Sequence, residues 1–426
     1  MVPTTGLQAR PSRPAKKDEP GVRWRLARIG VQLENRFRSR YRRRGLVIVD
    51  DVFPHLLSGF RIAEFNAYLR HWASAEVHTF VGSSPFLGEK PAFAEVMRRY
   101  WAQYPSLSLR VRRAQPDRVL DGPLVYCVFL NNASRYLDLG ETARSPFVFT
   151  LYPGGGFALD EPASSEALRR VMDSPLLRRV VVTQRVTRDY LLESRLCDPS
   201  LIEFIYGVVL PWDELAGGLL PKATYLVDKC TFDICFVAAQ YMPGGANKGF
   251  DVFLDVAQRL SREHQDMVFH VVGNFYDYEY DLLPLGERAV VKFHGPLSTP
   301  ALADLFRSMD VILSPNAPFL LSPGNFDGFP TAACVEAGLC GVAVFCTDEL
   351  RENSEFRNGE ELVIISREPD EICQALEGYY EDPEGLYVLA DRGKRRLAEV
   401  FSHEHQIIPR LRLLERELEA PRVTSR

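Results

Sequence analysis

Twice along this chain, short apolar runs alternate with longer stretches whose apolar residues recur every three or four positions. The first series opens with Leu46-Val-Ile-Val-Asp50 and continues through 77–81, 124–129, 147–151, 180–183 and 204–206. The second begins at 234–238 and runs through 267–272, 290–293, 311–313, 342–345 and 362–365. Runs that are apolar at every position are strands buried on both faces. Their alternation with amphipathic helices gives a parallel sheet covered on both sides. Helices are predicted over 250–260, where Phe250, Phe253, Leu254 and Ala257 share a face, and over 300–308, 330–340, 370–380 and 404–418.

With 426 residues the chain is too long for one such core. The predicted fold class is α/β, with two Rossmann-like doubly wound domains and a cleft between them. A basic arm occupies 1–44, the first domain 45–222 and the second 230–400, with 221–232 as the linker. The last helix, about 402–420, returns to the first domain. In such folds ligands sit beyond the carboxyl ends of the strands.

No apolar run approaches the roughly 18 residues of a membrane span, and the N-terminus lacks the apolar segment of a secretion signal. A cytoplasmic protein is expected. Its eight cysteines form no C-x-x-C pair and sit mostly in apolar runs, as reduced buried thiols do. Residues 10–44 carry 13 Lys/Arg against three acids, a net of +10, while the whole chain is −5, so the remainder is −15. Between Trp24 and Tyr41, apolar residues recur among arginines. Such a basic amphipathic helix can lie on an anionic membrane surface, bind nucleic acid, or pack on the body with its charges in water. The acidic body speaks against nucleic acid as a partner, and a peripheral place at an inner membrane face follows from the first reading.

Three glycine-containing loops follow predicted strands: Ser58-Gly59, Tyr152-Pro-Gly-Gly-Gly156, and Tyr241-Met-Pro-Gly244-Gly245-Ala-Asn-Lys248-Gly249. Glycine admits a ligand close to the backbone, and the start of a following helix offers free N–H groups to phosphate. None is a G-x-G-x-x-G or a P-loop. Lys248 could neutralise a leaving diphosphate, or be a solvated loop lysine.

The segment Asn325-Phe-Asp327-Gly328-Phe329-Pro330-Thr331-Ala-Ala-Cys-Val-Glu336-Ala337 carries the most chemistry. Pro330 suits a first helical turn and Gly328 the tight entry before it, so the amides of Gly328 and Phe329 would face an anion. Glu336 lies two turns inside among apolar residues. Burying it requires a partner, either ligand hydroxyls such as those of a ribose or a core arginine.

These motifs resemble the retaining glycosyltransferases of the GT-B fold, family 4. The resemblance rests on the Lys248-Gly249 loop, Val271-Val272-Gly273, Phe293-His294-Gly295, Met309-Asp310-Val-Ile-Leu-Ser-Pro315, and Asp327-Gly-Phe-Pro with Glu336-Ala337, in the family's order over about 232–400. It implies that Lys248 contacts the donor diphosphate, with the amides near Gly328 and Phe329 assisting and Pro330 and Thr331 lining the donor site. Glu336 would bind the nucleotide ribose and Asp327 the sugar hydroxyls. Gly244, Gly245, Gly273 and His294 would line the donor site, and Ser58-Gly59 would close on the diphosphate from the other domain. Tyr152 stands where many members place a histidine and would contact sugar or acceptor, unless it is a packing residue. The family generally works without a metal or other cofactor, and no D-x-D triplet occurs. The sequence departs from the pattern in two places. Eight residues rather than seven separate Asp327 from Glu336, and Gln240-Tyr241 replace the arginine that commonly precedes the lysine.

The expected function is glycosyl transfer from a nucleoside diphosphate sugar to a glycan, lipid-linked or other acceptor, with retention and without metal, in surface polysaccharide or glycoconjugate synthesis. The catalytic set is Asp327, Lys248 and Tyr152. A sugar-nucleotide epimerase on the same fold and a non-catalytic binding protein remain as alternatives.

Overall fold

The computed structural model describes residues 45–80, 92–114, 122–139, 145–212, 215, 221–276 and 290–421. The segment from Trp24 to Tyr41 lies outside them.

The first sheet is wholly parallel. It comprises β1 (Leu46–Asp50), β2 (Glu76–Thr79), β3 (Val111–Arg113), β4 (Leu124–Val128), β5 (Phe147–Leu151), β6 (Leu177–Val182) and β7 (Ile202–Phe204), in the order β3-β2-β1-β4-β5-β6-β7. Between the strands run α1 (Gly59–His71), α2 (Phe93–Gln103), α3 (Leu130–Asp138), α4 (Pro162–Met172) and α5 (Arg185–Glu193). Alternate residues of one strand enter opposite cores. Leu46 and Ile48 join the layer with Phe65 and Tyr68, whereas Val47 and Val49 join the layer with Leu168 and Val171. That is why β1 shows no polar alternation.

The second sheet, also parallel, orders β8 (Phe232–Val237), β9 (Met267–Val272), β10 (Val290–Phe293), β11 (Val311–Ser314), β12 (Ala343–Cys346) and β13 (Val363–Ile364) as β10-β9-β8-β11-β12-β13. Its helices are α6 (Phe250–Glu263), α7 (Thr299–Phe306), α8 (Ala332–Leu339), α9 (Pro369–Glu381) and α10 (Pro383–Val400). The last helix, α11 (His403–Glu419), places Ile407, Leu411 and Leu414 in the core of the first sheet. The two crossing segments are tied side by side. Trp212 Nε1 donates to the carbonyl of Phe401 at 2.9 Å, and Gln406 Nε2 to that of Tyr206 at 2.8 Å.

Inside the first core, Arg410 of α11 and Glu64 of α1 are both fully buried, 3.9 Å apart. Glu64 accepts hydrogen bonds from the hydroxyls of Tyr68 (2.9 Å), Tyr152 (3.2 Å) and Tyr126. The returning helix is therefore anchored by charge as well as by apolar area.

Candidate functional site

A cavity of about 300 Å³ lies where residues following β5 and β6 face residues following β8 and β11. One wall holds Phe60, Phe129, Tyr152, Pro153 and Gln184; the other holds Tyr241, Lys248, Asn316, Asp327 and Gly328. Thr331, Ala332 and Ala333 close one end with the start of α8.

Lys248 ends the loop between β8 and α6. Its Nζ lies 2.5 Å from Asp327 Oδ1 and 5.3 Å from the centre of the Tyr241 ring. The other Asp327 oxygen accepts from Asn316 Nδ2 at 2.7 Å. Asp327, expected to face sugar hydroxyls, thus already has two partners, and Lys248 is neutralised by a carboxylate. Among the described residues lining the cavity Lys248 is the sole cation.

The entry into α8 differs from the sequence expectation. Pro330 precedes the helix rather than opening it. Thr331 is the N-cap, its Oγ1 accepting from the Cys334 amide at 3.4 Å, and Ala332 is the first helical residue. The amide of Phe329 does not face an anion, because it donates to Gln184 Oε1 at 3.1 Å. The helix-start amides beside the cavity are those of Thr331, Ala332 and Ala333, about one turn further on than predicted.

Glu336 lies on α8, half-buried, with no hydrogen-bond partner among the described residues. Burial pushes its carboxyl up to about 7. Across from it is Gly59, where an added Cβ would lie 3.5 Å from Glu336 Oε1 and 3.1 Å from Thr299 Oγ1. Gly59 therefore approaches the other domain at the expected ribose residue. Ser58 does not line the cavity. Its Oγ accepts from Arg61 at 3.1 Å, and Arg61 pairs with Asp50 at 3.0 Å and spans the Phe60 and Phe129 rings.

Several expected contacts fall elsewhere. The Tyr152 ring lines the cavity edge-on to Phe60, but its hydroxyl points into the buried Glu64 cluster, so packing accounts for it. Burial raises that phenol's pKa. His294 sits 3.0 Å from His270, which bonds Asp233 at 2.8 Å; burial, then His270, lowers its pKa, and it is not a cavity residue. Gly244 and Gly245 have positive φ (72° and 62°), and Gly245 leaves space for the Phe275 ring. Gly273, at φ 133°, lets the chain leaving β9 pass close to the end of β8: a Cβ there would meet the Ala238 carbonyl at 1.8 Å. None of these three lines the cavity.

Sequence reasoning did not single out Gln184, Asn316 or Glu352. Glu352 accepts from the amides of Arg185 (2.6 Å) and Val186 (2.9 Å), capping α5 from the opposite domain. Gln184 had a signal, since it follows the predicted strand 180–183 at its carboxyl end. Glu352 lies in a loop with none.

The two parallel sheets with their flanking helices have the GT-B fold. Similar solved structures include HepE from Anabaena in complex with UDP (15% identity, TM-score 0.62, 88% of this chain and 99% of that one). Others are sucrose-phosphate synthase from Thermosynechococcus elongatus (15%, 0.57, 88% and 99%) and an E. coli trehalose-6-phosphate structure bound with UDP-2-fluoro glucose (11%, 0.58, 88% and 100%). Residues 231–382, which hold Lys248, Asp327 and Glu336, match the family model described as Glycosyl transferases group 1. The match covers the second sheet and its helices as far as α9, where the motifs that carry the resemblance to glycosyltransferases lie. No curated protein sequence matches the chain. Among the described residues no helix is long and apolar enough to cross a membrane.

Proposed function

We propose that this protein is a glycosyltransferase that binds a nucleoside diphosphate sugar in the cavity and passes the sugar to an acceptor admitted along the Phe60–Phe129 wall. The observation that carries this reading is that Lys248 and the first residues of α8 line one cavity at the carboxyl ends of one sheet, with the unpartnered Glu336 further along the same helix and outside the cavity lining. An ammonium group and a helix start suit a diphosphate, and a half-buried carboxylate without a partner suits the paired hydroxyls of a ribose. The match to group 1 glycosyltransferases and neighbours that hold UDP or a UDP-sugar support it.

In this reading the charge that grows on the leaving diphosphate is taken up by Lys248 and the amides of Thr331, Ala332 and Ala333. Asp327, released by Lys248, then faces the sugar. Retention of configuration and independence from metal are parts of the same proposal, as is a role in polysaccharide or glycoconjugate synthesis. A lipid-linked acceptor would suit a basic arm lying on anionic lipid, which co-sedimentation with anionic vesicles, with and without residues 1–44, tests.

The function is tested by a thermal-shift panel of UDP-, GDP- and ADP-sugars, because a ligand of the folded state raises its stability. Product analysis with candidate acceptors follows. One nucleotide class raising the Tm, and sugar consumed only when acceptor is present, is the expected result. Consumption without acceptor, giving an isomerised nucleotide sugar, would make the protein an epimerase. No shift with any of the three would remove the donor site.

A further inference from the structure

Gln184 sits between β6 and α5, in extended conformation and 3% exposed, yet it borders the cavity. Its side chain reaches across to the loop that precedes α8. The Phe329 N–H can only donate, so the Gln184 atom 3.1 Å from it must be the carbonyl oxygen, which fixes the orientation of the amide. The NH2 group is thereby turned away from Phe329. It passes over Gly328, where a Cβ would stand 3.2 Å from Nε2. Among the described residues that Nε2 has no acceptor. This side chain, with one end pinned and two donors without an acceptor, lines the same cavity as Asp327, Lys248 and the first residues of α8. Its nitrogen is not sealed from the cavity, so an acceptor oxygen on a ligand can take its hydrogens in place of water.

We infer that Gln184 is a specificity residue of the donor site, its Nε2 donating to a hydroxyl oxygen of the transferred sugar. The inference rests on the proposed donor reading. The sugar is attached to the diphosphate, so a diphosphate at Lys248 and the α8 start brings the hexose ring toward Asp327, Gly328 and Gln184. Gly328 is the position where a side chain would close the gap between the amide and the ring. A site built to hydrogen-bond a hydroxyl rejects a sugar that misplaces it, because the donor is then left unpaired.

The test uses the full chain and two substitutions. Gln184→Glu keeps an oxygen for the Phe329 amide and removes the donor; Gln184→Met removes both at similar volume. Isothermal titration gives the Kd of bare UDP and of UDP-glucose, UDP-galactose and UDP-N-acetylglucosamine, or of the GDP or ADP equivalents if the parent takes those. The readout is the ratio between nucleotide sugar and bare diphosphate, which cancels any effect of the new charge on diphosphate binding. For the parent's preferred sugar that ratio should collapse by roughly tenfold or more in both variants, with the ranking of the hexoses flattened. Equal shifts for the sugar and bare forms, leaving the parent's ranking intact, would make Gln184 a purely structural tie and overturn the inference. A parent that binds bare diphosphate but gains nothing from any attached hexose also overturns it, while leaving a nucleotide site standing. A parent that binds no nucleotide overturns the donor reading and this inference together.

Discussion

Lys248 Nζ and Asp327 Oδ1 stand 2.5 Å apart across the cavity wall, so the cation suited to a diphosphate is already paired with the carboxylate suited to its sugar. The pair is partly open to solvent, with side-chain exposures of 12% and 33%. A diphosphate carries more charge than one carboxylate, so it can displace Asp327 from the lysine. The contact therefore reads as a resting arrangement that donor binding would exchange.

That exchange makes the two residues behave oppositely. Lys248→Ala should lower kcat/KM by about 10²–10³-fold with little change in Tm. Asp327→Asn, which still accepts from Asn316, frees the lysine. It should tighten binding of bare nucleoside diphosphate several-fold while slowing transfer. Titration calorimetry beside an initial-rate assay separates the two effects; parallel losses in both variants would contradict the exchange.

Glu336 gives a pH dependence whose sign can be worked out. Its folded pKa, pushed up to about 7, exceeds the ordinary carboxyl value of 4.5. Between those values the folded state holds a proton that the unfolded state does not. The free protein therefore loses stability as pH rises from about 5 to 7. Glu336→Gln should remove that slope and raise the Tm at pH 8, by on the order of 2 °C. Donor binding runs the other way. The ionised carboxylate is the better acceptor for ribose hydroxyls, so parent affinity should strengthen from pH 6 to 8 and that of Glu336→Gln should stay flat. Scanning calorimetry and titrations across this range check both signs.

Glu352 holds the two domains together by capping α5, and burial raises its own pKa. Glu352→Ala strips two amides of their acceptor and should cost about 1–2 kcal/mol. Small-angle scattering should show a larger radius of gyration, with KM for the donor raised. An unchanged radius would show that the Gln184–Phe329 tie suffices for closure.

Arg410 and Glu64 form a buried pair with three tyrosines around them. Removing only the arginine, as in Arg410→Leu, leaves an uncompensated carboxylate and should cost about 3–5 kcal/mol. The double variant with Glu64→Leu should recover part of that loss. Urea unfolding of the single and double variants measures the coupling.

Much of the frame was legible because its strands are apolar at every position. The predicted runs at 124–129, 147–151, 267–272 and 290–293 fall on β4, β5, β9 and β10. What escaped notice had weaker patterning. β3 is Val-Arg-Arg, a three-residue edge strand whose charges belong at an edge. α10 carries Gly385 and Gly393 among charged residues; a Cβ at Gly393 would stand 2.2 Å from the Glu361 carbonyl. In the site, the residue types at Lys248, Asp327 and Glu336 were readable, but their partners were not. Nothing local tells Asp327 that Lys248, 79 residues away, will be its neighbour, or Phe329 that Gln184 will take its amide. Tyr152 shows the same limit, since its hydroxyl is claimed by Glu64, 88 residues earlier.

The most direct test is a crystal structure of the protein soaked with the nucleotide sugar that gives the largest thermal shift. The diphosphate should lie over the first turn of α8, with Lys248 turned from Asp327 onto it and the ribose hydroxyls on Glu336. A nucleotide bound elsewhere, or a cavity that stays empty with Lys248 and Asp327 still paired, would contradict the account.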